Sequence, residues 1–439
     1  MRIQWFSLVP VAAIALLAGP TAAQIERVSL SDDEQPANGG SYAAAVSDDG
    51  ALVAFRSNAD NLVPGDTNGL PDIFVRDVQA GTTEQVSLRP DGQPATDFSK
   101  APSISGGGRF VAFEAKHPTT AVLVTALRDR ISATTEYLVP NTSSGNPAAP
   151  GSARLQGAIS GDGRFVAFVT RDNLQGAWPT TIRPPNDDSN TTFDVFVYDR
   201  DTQPAPPIER VSRLTAGAEL DADSRSPSVG QDGGTIAFET FSELVPGDDN
   251  GAPDVVVKVR ASGMLERAST TAGGASGNGP SFDPAVSGDA SAVAFRSAAS
   301  DLVAGDTNGR VDIFVRDRTT STTARVSIAT SGEQADGHSM DPSISDDGRF
   351  VAFRSTAGNL VADDTNGRAD IFVHDRMTGT TVRVGQPPGD EANGSSAAPA
   401  ISGDGAWIVF ESDATNLVPG DDNAARDLFR VTNPLWSSP

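Results

Sequence analysis

Six stretches of this chain place an Asp, an Asn two residues on, and a second Asp six residues after the first. They are Asp66, Asn68 and Asp72; Asp188, Asn190 and Asp194; Asp248, Asn250 and Asp254; Asp306, Asn308 and Asp312; Asp364, Asn366 and Asp370; and Asp421, Asn423 and Asp427. Asn61, Glu243, Asp301, Asn359 and Asn416 add an oxygen donor five residues before the first Asp of five sets. Oxygen-rich loops of this kind suit a hard cation: calcium takes about six to eight oxygen ligands, and a short loop of alternating Asp and Asn can wrap one ion. The same residue types also build turns. Asp and Asn side chains accept hydrogen bonds from nearby backbone N–H groups, and Asn-Gly tolerates left-handed φ. The spacing alone leaves both open, a calcium-stabilised loop or a well-capped turn.

The loops recur because they join recurring strands. A Val-Ala-Phe strand is written seven times, as "ALVAFRS" (51–57), "RFVAFEA" (109–115), "RFVAFVT" (164–170), "TIAFET" (235–240), "SAVAFRS" (291–297), "RFVAFRS" (349–355) and "AWIVFES" (406–412). Its phenylalanines, Phe55, Phe113, Phe168, Phe238, Phe295, Phe353 and Phe410, are 58, 55, 70, 57, 58 and 57 residues apart, so seven equivalent units follow one another. Each unit reads as four strands. A short one such as "PSIS" (342–345) leads into a Gly-containing hairpin turn, the Val-Ala-Phe strand follows, then "DIFV" in alternation, then "RVS" after a Thr/Gly turn. Helical periodicity is absent. Four short antiparallel strands, repeated seven times, predict an all-β, seven-bladed β-propeller. The last unit lacks its "RVS" strand, while "ERVSL" (26–30) stands alone near the start. The N-terminal strand is therefore expected to complete the last blade and remove an exposed sheet edge. Both phenylalanine sets, these seven and Phe74, Phe196, Phe314, Phe372 and Phe429, are expected to be buried between blades.

The segment "SDDGRFVAFRS…DIFVHD" (345–375) resembles the WD-like propeller repeat of the TolB-like family. That family's units carry a Ser-x-Asp-Gly turn, an apolar-Ala-Phe strand and an Asp-Ile-Tyr/Phe-Val strand, and the resemblance extends over nearly all of the chain after residue 23. It implies a propeller fold and an exported protein. Two departures set this chain apart from TolB itself: seven units instead of six blades with a separate N-terminal domain, and a longer loop before "DIFV". The acidic loop also resembles part of the Asp-x-Asp-x-Asp-Gly-x-x-Asp calcium loop of integrin-type propellers. Asp66, Asn68, Gly69 and Asp72 fit its later positions, and Pro64 stands where its first Asp would be.

Residues 1–23 read as a signal peptide, with Arg2, the apolar run 8–17 and Thr21-Ala22-Ala23 ahead of the cleavage point. The remaining 24–439 are expected to form one propeller domain, periplasmic or secreted, with no membrane insertion. There is no Cys, so stability must come from burial and backbone pairing, and no thiol nucleophile exists. A formal net charge of −24 repels nucleic acid and anionic lipid. His117, His338 and His374 belong to different units, and no Gly-x-Ser-x-Gly elbow is present. These features favour a non-catalytic, monomeric propeller that binds a protein or polysaccharide through its loop face. The alternative is a propeller glycoside hydrolase or polysaccharide lyase using a carboxylate pair. Blades two and three break the pattern with "VPNTSSGNPAAPGSARLQG" (139–157) and an insertion (171–193) carrying Trp178 and Arg183, a candidate stacking site.

Overall fold

In the computed structural model the described residues are 24–117, 123–138, 158–171, 192–201, 208–215, 218, 220–243 and 250–437. Residues 1–23, expected to be a signal peptide, the 139–157 exit, Trp178, Arg183, Asp188, Asn190 and Asp248 lie outside them. Within them, 28 strands, β1 to β28 in chain order, form seven four-stranded sheets. The first blade sets the pattern, with β2 (Ser41–Val46), β3 (Leu52–Ser57), β4 (Asp72–Asp77) and β5 (Thr82–Gln85) side by side in sequence order. The others occupy 100–137, 158–210, 224–267, 281–325, 339–384 and 396–432. All pairings are antiparallel, as short turns between successive strands require.

The two middle strands of every blade are covered on both faces by the neighbouring blades. Hence β4, "DIFVRD", is buried at five of its six positions instead of at alternate ones. The apolar core divides into seven clusters, and each draws on two adjoining blades: Phe55 and Phe74 meet Val409 and Leu428, and Phe350 meets Phe410. The twelve predicted phenylalanines are all buried.

Ring closure follows the orphan-strand expectation. β1 (Ile25–Arg27) pairs with β28 (Asp427–Thr432), outside β27 (Trp407–Ser412) and β26 (Ser396–Ile401). The Val28 N–H extends the ladder to the Leu428 carbonyl at 2.8 Å before the chain turns away.

The inner strands are longer than "PSIS" suggested. The sixth blade's runs Ser339–Ile344, with a bulge between Met340 and Ser343 that places Asp341 at φ 56°. Five other blades repeat it at Ala43, Ala101, Ser226, Asp283 and Ala398, with φ between 48° and 53°. The left-handed residue is never Gly, so no turn signal marks the bulge in the sequence.

Candidate functional site

The inner strands line the axial channel. Each starts at the face that carries the acidic loops and the blade-to-blade connections, and ends at a hairpin turn on the opposite face. There the turns bond to one another around the ring. Asp48 N–H donates to the Gly106 carbonyl (3.0 Å), Gly106 to Gly161 (2.9 Å), Asp162 to Gln231 (3.0 Å) and Gln231 to Gly288 (2.9 Å). Asp289 to Asp346, Asp346 to Gly403 and Asp404 to Asp48 complete the circuit, each at 2.9 Å. Asp48, Gln231 and Asp346 fill the axis inside this ring. Gln231 Nε2 donates to Asp48 Oδ2 at 2.9 Å, joining blades on opposite sides. The glycines between them leave no room for a side chain, since a Cβ at Gly161 would lie 1.5 Å from Gln231 Oε1 and one at Gly403 would lie 2.4 Å from Asp346 Oδ2. These side chains narrow the well at its turn end.

Burial, and then the charge of Asp48, push Asp346 up from 3.8 to about 6. Asp66 and Asp364 are likewise raised to about 6, chiefly by burial and then by Asp72 and Asp370 respectively. A carboxylate with a raised folded pKa binds protons more readily in the native state, so its stabilising contribution is full below its ordinary pKa and is lost as pH rises through about 6. Asp129 is shifted the other way: hydrogen bonds from Arg109 hold it well below the usual range, so its contribution fades only in stronger acid. The melting temperature in chelator should therefore climb from pH 7.5 to a maximum near about pH 5 and fall below about pH 4. Asp346→Asn should flatten the upper limb. A Tm at pH 7.5 equal to or above that at pH 5 would contradict this assignment.

On the open face the six acidic loops fold alike where they are described. The Asn makes an Asx turn: Asn68 Oδ1 accepts from Leu70 N–H at 2.8 Å, and Asn250, Asn308, Asn366 and Asn423 repeat the bond over 2.6–3.0 Å. Its Nδ2 donates to a carbonyl of an interblade connection (3.2 Å from Asn68 to Ala95) and, in blades one, five, six and seven, to the second Asp (2.7 Å for Asn68 and Asp72). The second Asp is buried and, except in blade six, takes a hydroxyl just past the fourth strand, as in Ser87 to Asp72 at 2.5 Å and Ser327 to Asp312 at 2.6 Å; in blade six the Gln386 amide donates to Asp370 at 2.9 Å.

The sequence reading missed the cation these loops already hold. It is the arginine of the "RVS" strand. Arg325 meets Asp306 at 2.9 Å and Asp312 at 3.4 Å; Arg383 meets Asp364 at 3.0 Å and Asp370 at 3.5 Å; Arg27 meets Asp421 at 2.9 Å and Asp427 at 3.8 Å. In blades three and four, where the first Asp is outside the description, Arg210 and Arg267 reach Asp194 (3.3 Å) and Asp254 (3.1 Å). The signal was present as an Arg two residues before a Ser in four blades and before Gly385 in blade six, and only the paired sheet shows that this Arg turns inward.

None of the histidines stands free in the well. The buried His374 Nδ1 bonds Thr381 Oγ1 at 2.8 Å across one strand pair, and burial lowers its pKa to about 4. His338 Nδ1 accepts from Val311 N–H at 3.0 Å, and His117 packs on Tyr137. Among the described residues no three His, Asp or Glu converge as a metal-holding group. Where blades six and seven meet, Pro387, Pro388 and Asp390 face the 415–422 loop, with Asp421 and Asp422, across a cleft of about 840 Å³.

No protein-family model and no curated protein matches this chain. Solved structures do. The oligogalacturonate lyase of Vibrio parahaemolyticus is 13% identical, with a TM-score of 0.55, over 94% of this chain and 97% of that one. The β-propeller domain of the Trilobed protease from Pyrococcus furiosus, described as having an open velcro topology, is 12% identical with a TM-score of 0.54, over 90% and 94%. TolB from Acinetobacter baumannii is 14% identical with a TM-score of 0.45, over 81% and 67%. At such identities the likeness is one of fold.

Proposed function

We propose that this protein is an exported, non-catalytic propeller that binds a protein or polymer partner on its acidic loop face. The observation that carries the reading is the cleft on the loop face between blades six and seven. Its walls are loops set on a rigid scaffold, where binding sites form. Exposed carboxylates ring that face, including Asp301, Asp336, Asp363, Asp390 and Asp422, so a partner presenting basic groups is favoured. The described histidines are held by packing or hydrogen bonds, and no three His, Asp or Glu converge among the described residues, which supports binding over catalysis.

The test uses the immobilised protein in envelope extract, with captured material quantified by mass spectrometry. The double variant Asp390→Lys/Asp422→Lys, in the cleft, should lose the partner that wild type retains. Asp201→Lys, exposed on the turn face, should keep it. Equal capture by all three, or no saturable capture by wild type, would reject a loop-face site.

A further inference from the structure

One acidic loop lacks its arginine. Strand pairing sets the position unambiguously: Arg325 lies opposite Phe314, Arg383 opposite Phe372, Arg210 opposite Phe196, Arg267 opposite Val256 and Arg27 opposite Phe429. In blade one the residue opposite Phe74 is Gln85. A second support is also missing. Gln334 and Glu391, which hold the guanidinium in blades five and six at 3.2 and 2.8 Å, are replaced by Pro94 at the matching bridge position. Blade two, with Tyr137 opposite Ala126, lacks both the arginine and the acidic loop. Blade one alone keeps both carboxylates and has no cation to meet them.

The result is a stranded charge. Asp66 is 7% exposed, and neither of its carboxylate oxygens completes a hydrogen bond. The Asn68 backbone N–H eases it electrostatically without closing one. Asp72, fully buried beside it, has its Oδ1 bonded by Ser87 and its Oδ2 by Asn68, and the Gln85 side-chain amide leans on the same carboxylate. An uncompensated buried carboxylate is costly, and blades five, six and seven show an arginine relieving it at this very place.

We propose that the acidic loop of blade one is a binding site for a hard divalent cation, calcium, which there replaces the guanidinium of the other blades. The donors are all oxygens: both atoms of Asp66, the outer lone pairs of Asp72 and the amide oxygen of Gln85, with water completing the shell. Two carboxylates in an irregular all-oxygen loop favour calcium over the strict octahedron of magnesium. The other acidic loops need no metal, because their arginines already balance them.

The experiment compares calcium-dependent melting of chelator-stripped wild type, Gln85→Arg and Asp66→Asn at pH 7.5, using calcium chloride alone as the probe. Wild type should gain melting temperature steadily with the logarithm of calcium concentration. Gln85→Arg installs what five blades carry in the same register, and Asp66→Asn removes the stranded charge. Both should melt higher than stripped wild type and show no calcium shift. No calcium shift in wild type overturns the site, and so does a shift that persists unchanged in both variants. Neither outcome bears on partner capture, which is read separately.

Discussion

Phe353→Ala should cost about 3–5 kcal/mol of unfolding free energy, read from the urea midpoint at unchanged slope. The ring is fully buried and stacks on Phe372 with centroids 5.9 Å apart and planes 22° apart. It also belongs to a cluster with Ala294 and Val315 of the blade before it, so the cavity opens in an interface between blades, where neither sheet can collapse freely. The same cross-strand pair recurs as Phe55–Phe74, Phe168–Phe196, Phe295–Phe314 and Phe410–Phe429, all at 5.8–6.0 Å. A loss under about 1 kcal/mol would show that the interface repacks, against the close packing described.

Removing residues 24–29 should cost more, enough to abolish a single cooperative melting transition followed by circular dichroism. The deletion strips the outer strand from β28 and bares its edge. It also withdraws the Arg27 guanidinium from Asp421 and Asp427 and the Ser29 hydroxyl from Asp427 Oδ1, a 2.6 Å bond. Asp427 is fully buried, and breaking a buried pair by removing one partner costs about 3–5 kcal/mol by itself. Arg27→Ala separates the two contributions: it should lose the ion-pair part and keep a two-state transition. A truncated chain that melts like wild type would mean that the ring does not depend on this strand.

Much of this architecture is legible in the residues because the repeat states it seven times. The phase of Val-Ala-Phe and Asp-Ile-Phe-Val identifies which phenylalanines are buried, and the orphan "ERVSL" points to closure. The parts that stay hidden depend on contacts between segments far apart. Asp341 and Ala43 carry left-handed bulges without a glycine to betray them. Arg325 reads as an ordinary polar strand residue until its pairing opposite Phe314 turns it under the loop of Asp306. Asp48, Gln231 and Asp346 look like interchangeable turn residues; only the closed ring brings them together at one point. The candidate site was thus half visible. The acidic loops could be found, but what neutralises them could not, because the answer lies on another strand.

The closing bond between Ser29 and Asp427 spans 398 residues of chain. A ring fastened in this way has a large loop-closure entropy to overcome, and its last step must wait for the final strands. Until then two complementary edges are exposed, the early strand at one end and the unfinished blade at the other. Both edges are present in every copy, so during refolding a strand from one molecule competes with the molecule's own for the same seat. Dilution favours self-closure, and crowding favours exchange into linked rings. The seam that completes the native propeller is therefore also the place where its folding is most open to error.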